Sequence, residues 1–273
     1  MSALAFNNQR VQDLRRLLRR RSSRHGEGRF VVEGPVLVAE AVRAGWVVEA
    51  QFVPVGSDAA IDGAGEVFEL ADGVLERMAS TEAPQPPLAI VAMPPADEAA
   101  VRSGLAGASL AVVLDRVADP GNLGTILRSA EAAGADVVVL TPGSVDPFNP
   151  KVVRSSAGAL FHVPVITASI EDVESAGLRL LGTSSHGFAG RTVVAHTAAD
   201  LSGRVAIVMG NEAAGLPDGW NDVVGPIRSW ITIPHQGRSE SLNVAMAATL
   251  LVFEAARRRT AQWPPPSTSN DAG

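Results

Sequence analysis

From Leu110 onward the chain repeats short runs that are apolar at every position: Leu110–Leu114, Val137–Leu140, Leu178–Leu181 and Val205–Met209. A strand with no polar alternation must be covered on both faces. Helices crossing over between successive strands achieve that, which requires strands running mainly the same way. The region is therefore expected to be an α/β domain built on a largely parallel sheet. A final helix is predicted from about Glu240 to Arg259, with an interior rich in Ala and Leu. Arg257, Arg258 and Arg259 stand at its end, where cations suit a helix terminus. Pro264, Pro265 and Pro266 prevent its continuation, and the polar residues beyond have nothing to bury.

With 273 residues the chain exceeds the roughly 100–200 of one ordinary domain, so a second, smaller domain should precede the sheet. Val11, Leu14, Leu17 and Leu18 have helical spacing within residues 8–21. Ser22 to Gly28 reads as a polar loop, followed by a strand near Phe30–Glu33 and a helix opened by Pro35 and stopped by Gly45. Five prolines between Thr81 and Asp97 bracket a last strand at Leu88–Met93. The predicted division is a domain over residues 1–95, a linker over 96–107, a second domain over 108–262 and a disordered tail over 263–273.

The net charge of -6 excludes a protein that coats nucleic acid by bulk charge, yet residues 1–30 hold eight arginines against Asp13 and Glu27. Arg15, Arg16, Arg19 and Arg20 can face phosphates from the basic side of the first helix, and Arg154 is a further candidate contact. The competing reading is a solvated helix face. The absence of cysteine removes thiolate and disulfide chemistry, and the five histidines lack metal-ligand spacing, so no metal is expected. No Gly-x-Gly-x-x-Gly follows a strand and the sole lysine is Lys151, which sets aside a dinucleotide dehydrogenase. Ser184-Ser185-His186 lacks the glycines of a nucleophile elbow. No apolar run reaches the roughly 18 residues of a membrane span, and no secretory pattern opens the chain, so a cytoplasmic location is expected.

Three segments can carry chemistry. The first, from Asp115 to Gly134, runs from a strand through a turn into a helix, with Asn122 suited to an N-cap and Gly134 to a stop. Arg128 within it has either a salt-bridged surface role or a functional one. The second, Val205–Leu216, runs from a strand into a turn where Gly210 and Gly215 permit close backbone approach. Glu212 there lies at the carboxyl end of a strand, where open α/β sheets bind ligands. The third, Ile231–Ala247, is a strand ended by Pro234, a polar loop and a helix start, where Ser241 and Asn243 either cap the helix or meet a polar ligand.

Taken in this order and at these distances, the segments resemble the three motifs of the SpoU (TrmH) branch of SPOUT RNA 2'-O-ribose methyltransferases. Asp-Pro-Gly-Asn-Leu-Gly-Thr-Ile-Leu-Arg-Ser-Ala is similar to the first motif and Met-Gly-Asn-Glu-Ala-Ala-Gly-Leu to the second. Ile-Pro followed by Ser-Leu-Asn-Val-Ala is similar to the third, and the likeness spans residues 108–260. His235 departs from the pattern, which commonly has methionine after the proline. Phe-Val-Val-Glu-Gly and the helix around Leu37–Ala44 resemble the ribosomal-protein-like substrate domain of rRNA-directed members.

The resemblance implies a deep C-terminal trefoil knot, which sequence physics alone would not suggest, together with a homodimer and an S-adenosylmethionine cofactor. It places the cofactor on Leu140, Thr183, Gly210, Ile233 and Leu242, and the reactive surroundings on Arg128, Asn122, Glu212, Ser241 and Asn243. The family role of base at Arg128 sits poorly with how firmly a guanidinium keeps its proton; a charged Arg128 would hold an adjacent phosphate and stabilise a developing alkoxide. Glu212 is then either a proton acceptor or a brace for Arg128. The expected substrate is RNA, with 23S rRNA favoured by the extra domain and tRNA as the alternative. Both a housekeeping modification and an antibiotic-resistance modification fit this resemblance. An RNA-binding module with a decayed site is the non-enzyme alternative, opposed by the intact Asn122, Arg128, Glu212, Ser241 and Asn243 set.

Overall fold

The computed structural model describes residues 3–78, 84–185, 192–220, 222, 225–238 and 241–259. The N-terminal part contains α1 (Gln9–Arg19), α2 (Arg21–Glu27), β1 (Arg29–Glu33), α3 (Pro35–Arg43), β2 (Val48–Pro54), β3 (Glu66–Leu70), α4 (Val74–Met78) and β4 (Leu88–Ala92). Its four strands lie in the order β1-β4-β2-β3, with β4 antiparallel to both neighbours and β2 parallel to β3. Val11, Leu14, Leu17 and Leu18 bury the stripe predicted for α1 against Phe52, Phe68 and Leu70. The expected polar loop at Ser22–Gly28 is instead the helix α2, closed by Gly28 in the left-handed conformation. Arg24 explains the difference: a buried polar anchor, invisible to hydrophobic periodicity, holds that turn in place.

The large sheet begins after α5 (Glu98–Ala106), which occupies the segment predicted as a linker. Asp97 caps it by accepting from Ala100 N, and Leu105 is buried; one inward leucine among small residues gave too weak a period to reveal it. Then follow β5 (Leu110–Leu114), α6 (Pro120–Ala132), β6 (Val137–Leu140), α7 (Pro150–Ser155), β7 (Val165–Thr167), α8 (Ile170–Ser175), β8 (Arg179–Thr183), β9 (Val193–Ala195), β10 (Val205–Met209), β11 (Ser229–Thr232) and α9 (Val244–Arg259). The seven strands are all parallel, in the order β7-β6-β5-β10-β8-β11-β9. The predicted starting point of the last helix, Glu240, and the tail over 263–273 lie outside the described residues, as does His186.

The two sheets share one apolar cluster. The Phe30 ring lies tilted against Phe148 with centroids 4.8 Å apart, and Trp46 meets Phe161 edge-on at 5.4 Å while donating through Nε1 to the Phe161 carbonyl. Beside them the Arg24 guanidinium donates to Asp146 Oδ2, and Arg24 Nη1 donates to the Leu17 carbonyl at the end of α1. Both partners of this ion pair are buried, at 3% and 4% exposure.

Candidate active site

The three motif segments converge at the carboxyl edge of the large sheet, where β10, β8 and β11 end side by side. The loops leaving them enclose a cavity of about 510 Å³ lined by Thr183, Gly210, Ile233, Leu242 and neighbours from both loops. Gly210 is required there: a Cβ would stand 2.4 Å from the Gly215 carbonyl carbon. The tightened turn is closed by paired backbone hydrogen bonds between Asn211 and Gly215. Asn211 Oδ1 also accepts from Ala213 N and Ala214 N, while its Nδ2 donates to the Arg116 carbonyl. Four of the five predicted cofactor residues therefore line one cavity. Leu140 does not. It ends β6, which β5 separates from β10, and it borders a smaller cavity of about 80 Å³ with Met93, Phe148 and Ile166. A shared sheet edge does not make a shared pocket.

Asn122 sits at the third position of α6 rather than at its cap, because the Asp119 carboxylate accepts from Asn122 N and caps the helix. Its side chain is thereby free to join two segments. Asn122 Nδ2 donates to Glu212 Oε1 at 2.9 Å, and Asn122 Oδ1 accepts from Asn243 Nδ2 at 3.0 Å. Asn243 Oδ1 in turn accepts from Ala245 N and Met246 N, so this residue both caps α9 and ties it to α6. Ser241 lines the same cavity.

The Glu212 carboxylate accepts from Ala118 N, Asp119 N and Asn122 Nδ2. Partial burial raises the carboxyl, but the hydrogen bonds from Asn122 and from the backbone of Glu212 itself, Ala118 and Asp119 outweigh it, and it lies below its ordinary value. Among the described residues these hydrogen bonds brace the turn before α6, and none reaches Arg128. Arg128 is exposed on α6 and, among the described residues, makes no hydrogen bond or ion pair. It is outside the cavity wall and open to an incoming group.

Sequence reasoning missed the support beneath this loop. Asp115, buried at the end of β5, accepts from Thr141 Oγ1 and Arg116 Nε, and Arg116 has a left-handed backbone with φ 51°. That conformation aims the Arg116 carbonyl at Asn211. The available signal was a carboxylate directly after five apolar residues, a costly position unless it is hydrogen bonded. Gly124 of the first motif also gains a reason: a Cβ would collide with Ser155 of α7, whose hydroxyl donates to the Pro120 carbonyl.

The predicted RNA contacts divide. Arg16 pairs with Asp13 and Glu27, so its charge is locally neutralised. Arg15 stands over the Phe6 ring, whereas Arg19, Arg20 and Arg154 are exposed.

An open parallel sheet with a loop-built cavity at its carboxyl edge, braced by a polar Asn–Glu–Asn cluster, defines a small-molecule-binding α/β protein. Residues 109–253 match the SpoU rRNA Methylase family, and residues 8–89 match the MRM3-like substrate binding domain. The chain belongs to the SpoU rRNA methylase family. It is 32% identical to the Bacillus subtilis (strain 168) 23S rRNA (guanosine(2553)-2'-O)-methyltransferase RlmP, over 90% of this chain and 95% of that one. The 23S rRNA (uridine(2479)-2'-O)-methyltransferase of Streptomyces viridochromogenes is also 32% identical, over 94% and 92%. Among solved structures, the AdoMet-bound rRNA methyltransferase of Sinorhizobium meliloti superimposes with a TM-score of 0.81 at 31% identity, covering 96% of this chain and 99% of that one. AviRb from S. viridochromogenes in complex with AdoMet gives 0.80 at 30%, covering 94% and 100%.

Proposed function

We propose that this chain is an S-adenosylmethionine-dependent methyltransferase that modifies a ribose 2'-hydroxyl of 23S rRNA. The observation that carries it is the cavity of about 510 Å³ formed jointly by the second and third motifs and tied through Asn243 and Asn122 to the first. Its size suits a nucleoside-like ligand. Apolar Ile231, Ile233, Leu242 and Leu251 offer walls for a flat ring, and the Gly210–Leu216 backbone and Ser241 offer polar contacts, so the residues present fit the cofactor. S-adenosylmethionine supplies an electrophilic sulfonium methyl when bound. The protein's contribution is to position the ribose oxygen; Arg128, exposed and with no side-chain partner among the described residues, would grip the neighbouring phosphate and stabilise the oxygen as its proton passes to solvent water.

Residues 1–95 recruit the RNA in this reading and residues 108–262 carry the reaction. A knotted path is supported by the strand order, in which β11 inserts between β8 and β9 after the chain has already laid down β10. A homodimer is supported by α9, where Met246, Leu250 and Phe253 expose 63%, 45% and 43% of their surface on one helical stripe. The direct test is incubation of unmodified 23S rRNA with S-adenosylmethionine and the protein, followed by 2'-O-methyl mapping. One stoichiometric new site is the expected result, and methylation of a base with no ribose modification would overturn the assignment.

A further inference from the structure

We propose that Arg10, Arg15 and Arg77, seated against Phe6 and Phe68 at the β3 edge of the small sheet, form a phosphate clamp for the RNA backbone. This inference rests on the proposed action on RNA and adds a surface that the three motifs do not touch. Leu4 extends the sheet beyond β3 by bridging to Leu70, which brings Phe6 to that edge. The Arg77 guanidinium carbon lies 3.7 Å from the Phe6 ring centroid and that of Arg15 lies 5.4 Å from the same centroid, while Arg10 stands 4.3 Å from the Phe68 centroid.

Arg16, Arg24, Arg29 and Arg43 are each paired with carboxylates, whereas Arg19, Arg20 and Arg21 form no ion pair among the described residues; Arg10, Arg15 and Arg77 differ from both groups in resting on aromatic rings. Among the described residues Arg10, Arg15 and Arg77 have no acidic partner, although Asp13, Asp72 and Glu76 are close in sequence. Two like charges gathered around one ring repel each other, and the ring faces offset only part of that cost. An anion relieves it. A guanidinium resting on an aromatic face keeps its N–H edge free and loses little rotamer entropy on binding, which suits the oxygens of a phosphodiester.

The test measures binding of the full-length protein to unmodified 23S rRNA across a salt series, using Arg10→Ala/Arg15→Ala/Arg77→Ala, with Arg43→Ala as the control for a paired arginine. Loss of two or three phosphate contacts should lower the slope of log K against log salt by about two, at roughly 0.7–0.9 per contact, and weaken binding at least about tenfold at low salt. S-adenosylmethionine binding, read by calorimetry, should not change, and it also reports that the triple variant is folded. Phe6→Leu keeps every charge and should weaken binding while leaving the salt slope intact. Unchanged affinity and slope in the triple variant, beside a wild type that methylates rRNA, overturns the clamp alone. A wild type that transfers no methyl group to 23S rRNA overturns the proposed function and the clamp with it.

Discussion

Glu212 and Arg128 occupy neighbouring motifs yet do different work, and substitution should separate them. Arg128 is exposed and its side chain holds no partner among the described residues, so Arg128→Ala should leave folding and cofactor affinity within about twofold while methyl transfer falls by about 10²–10³, as expected for removing a charge that acts on the transition state. Calorimetry beside single-turnover kinetics checks this, and near-normal turnover would remove Arg128 from the reaction. Glu212 anchors two backbone amides and Asn122, so Glu212→Gln should weaken cofactor binding as well as turnover, because the loop forming the cavity loses its tie to α6. Since its folded-state value is depressed, the tie is complete above the ordinary carboxylate range and is lost as pH falls through the lower folded-state value. Cofactor affinity in the wild type should therefore drop on acidification, and less so in the Gln variant. The identities of Asn122, Glu212, Ser241 and Asn243 were legible in the sequence as motif positions. Their partnerships were not, because residues about 90 and 121 positions apart meet only through the sheet order.

At the level of elements, the all-apolar strands were legible because complete burial leaves no polar alternation, and β5, β6 and β10 begin and end where the runs do. The helices α2 and α5 escaped, since one is held by a buried arginine and the other by a single inward leucine. α9 joins two tasks. Its inner face packs Val244, Ala248, Leu251 and Val252 into the core, while Met246, Leu250 and Phe253 face outward. Met246→Glu with Leu250→Glu should convert the proposed dimer to a monomer and lower methyl transfer, with helix content retained. Light scattering and circular dichroism decide it, and a monomeric wild type with full activity would contradict the assembly. At the other end of α9, hydrogen bonding from Arg257 draws the Glu254 carboxyl down against burial, Arg258 assists, and the value falls from 4.5 to about 2. The stabilisation it gives is complete at neutral pH and is lost as pH falls from about 4.5 toward 2. A Glu254→Gln variant should melt below wild type at pH 7, with the gap closing near pH 2.

Across the whole molecule the boundary near residue 95 marks a change of topology but not of core. Removing residues 1–105 would uncover Phe148 and Phe161 and leave Asp146 without Arg24, so the catalytic part should aggregate rather than persist as an independent cofactor-binding unit. Arg24→Ala alone should cost about 3–5 kcal/mol by removing the charge partner that meets Asp146 Oδ2 and leaving the buried carboxylate to His25 and Phe148 N, whereas Arg24→Met with Asp146→Leu should recover much of that loss. Urea titrations of the three proteins measure it, and a loss under about 1 kcal/mol in the single variant would show that His25 and Phe148 N satisfy Asp146 without Arg24. The aromatic seam of Phe30, Trp46, Phe148 and Phe161 also bears on how such an enzyme acquires a new target. If residues 1–95 read the target as proposed, they cannot be exchanged like a cassette, because half of their hydrophobic seat belongs to the other sheet. Retargeting must then proceed in place, through substitutions on the reader's outer rim, with the seam kept as a fixed inheritance.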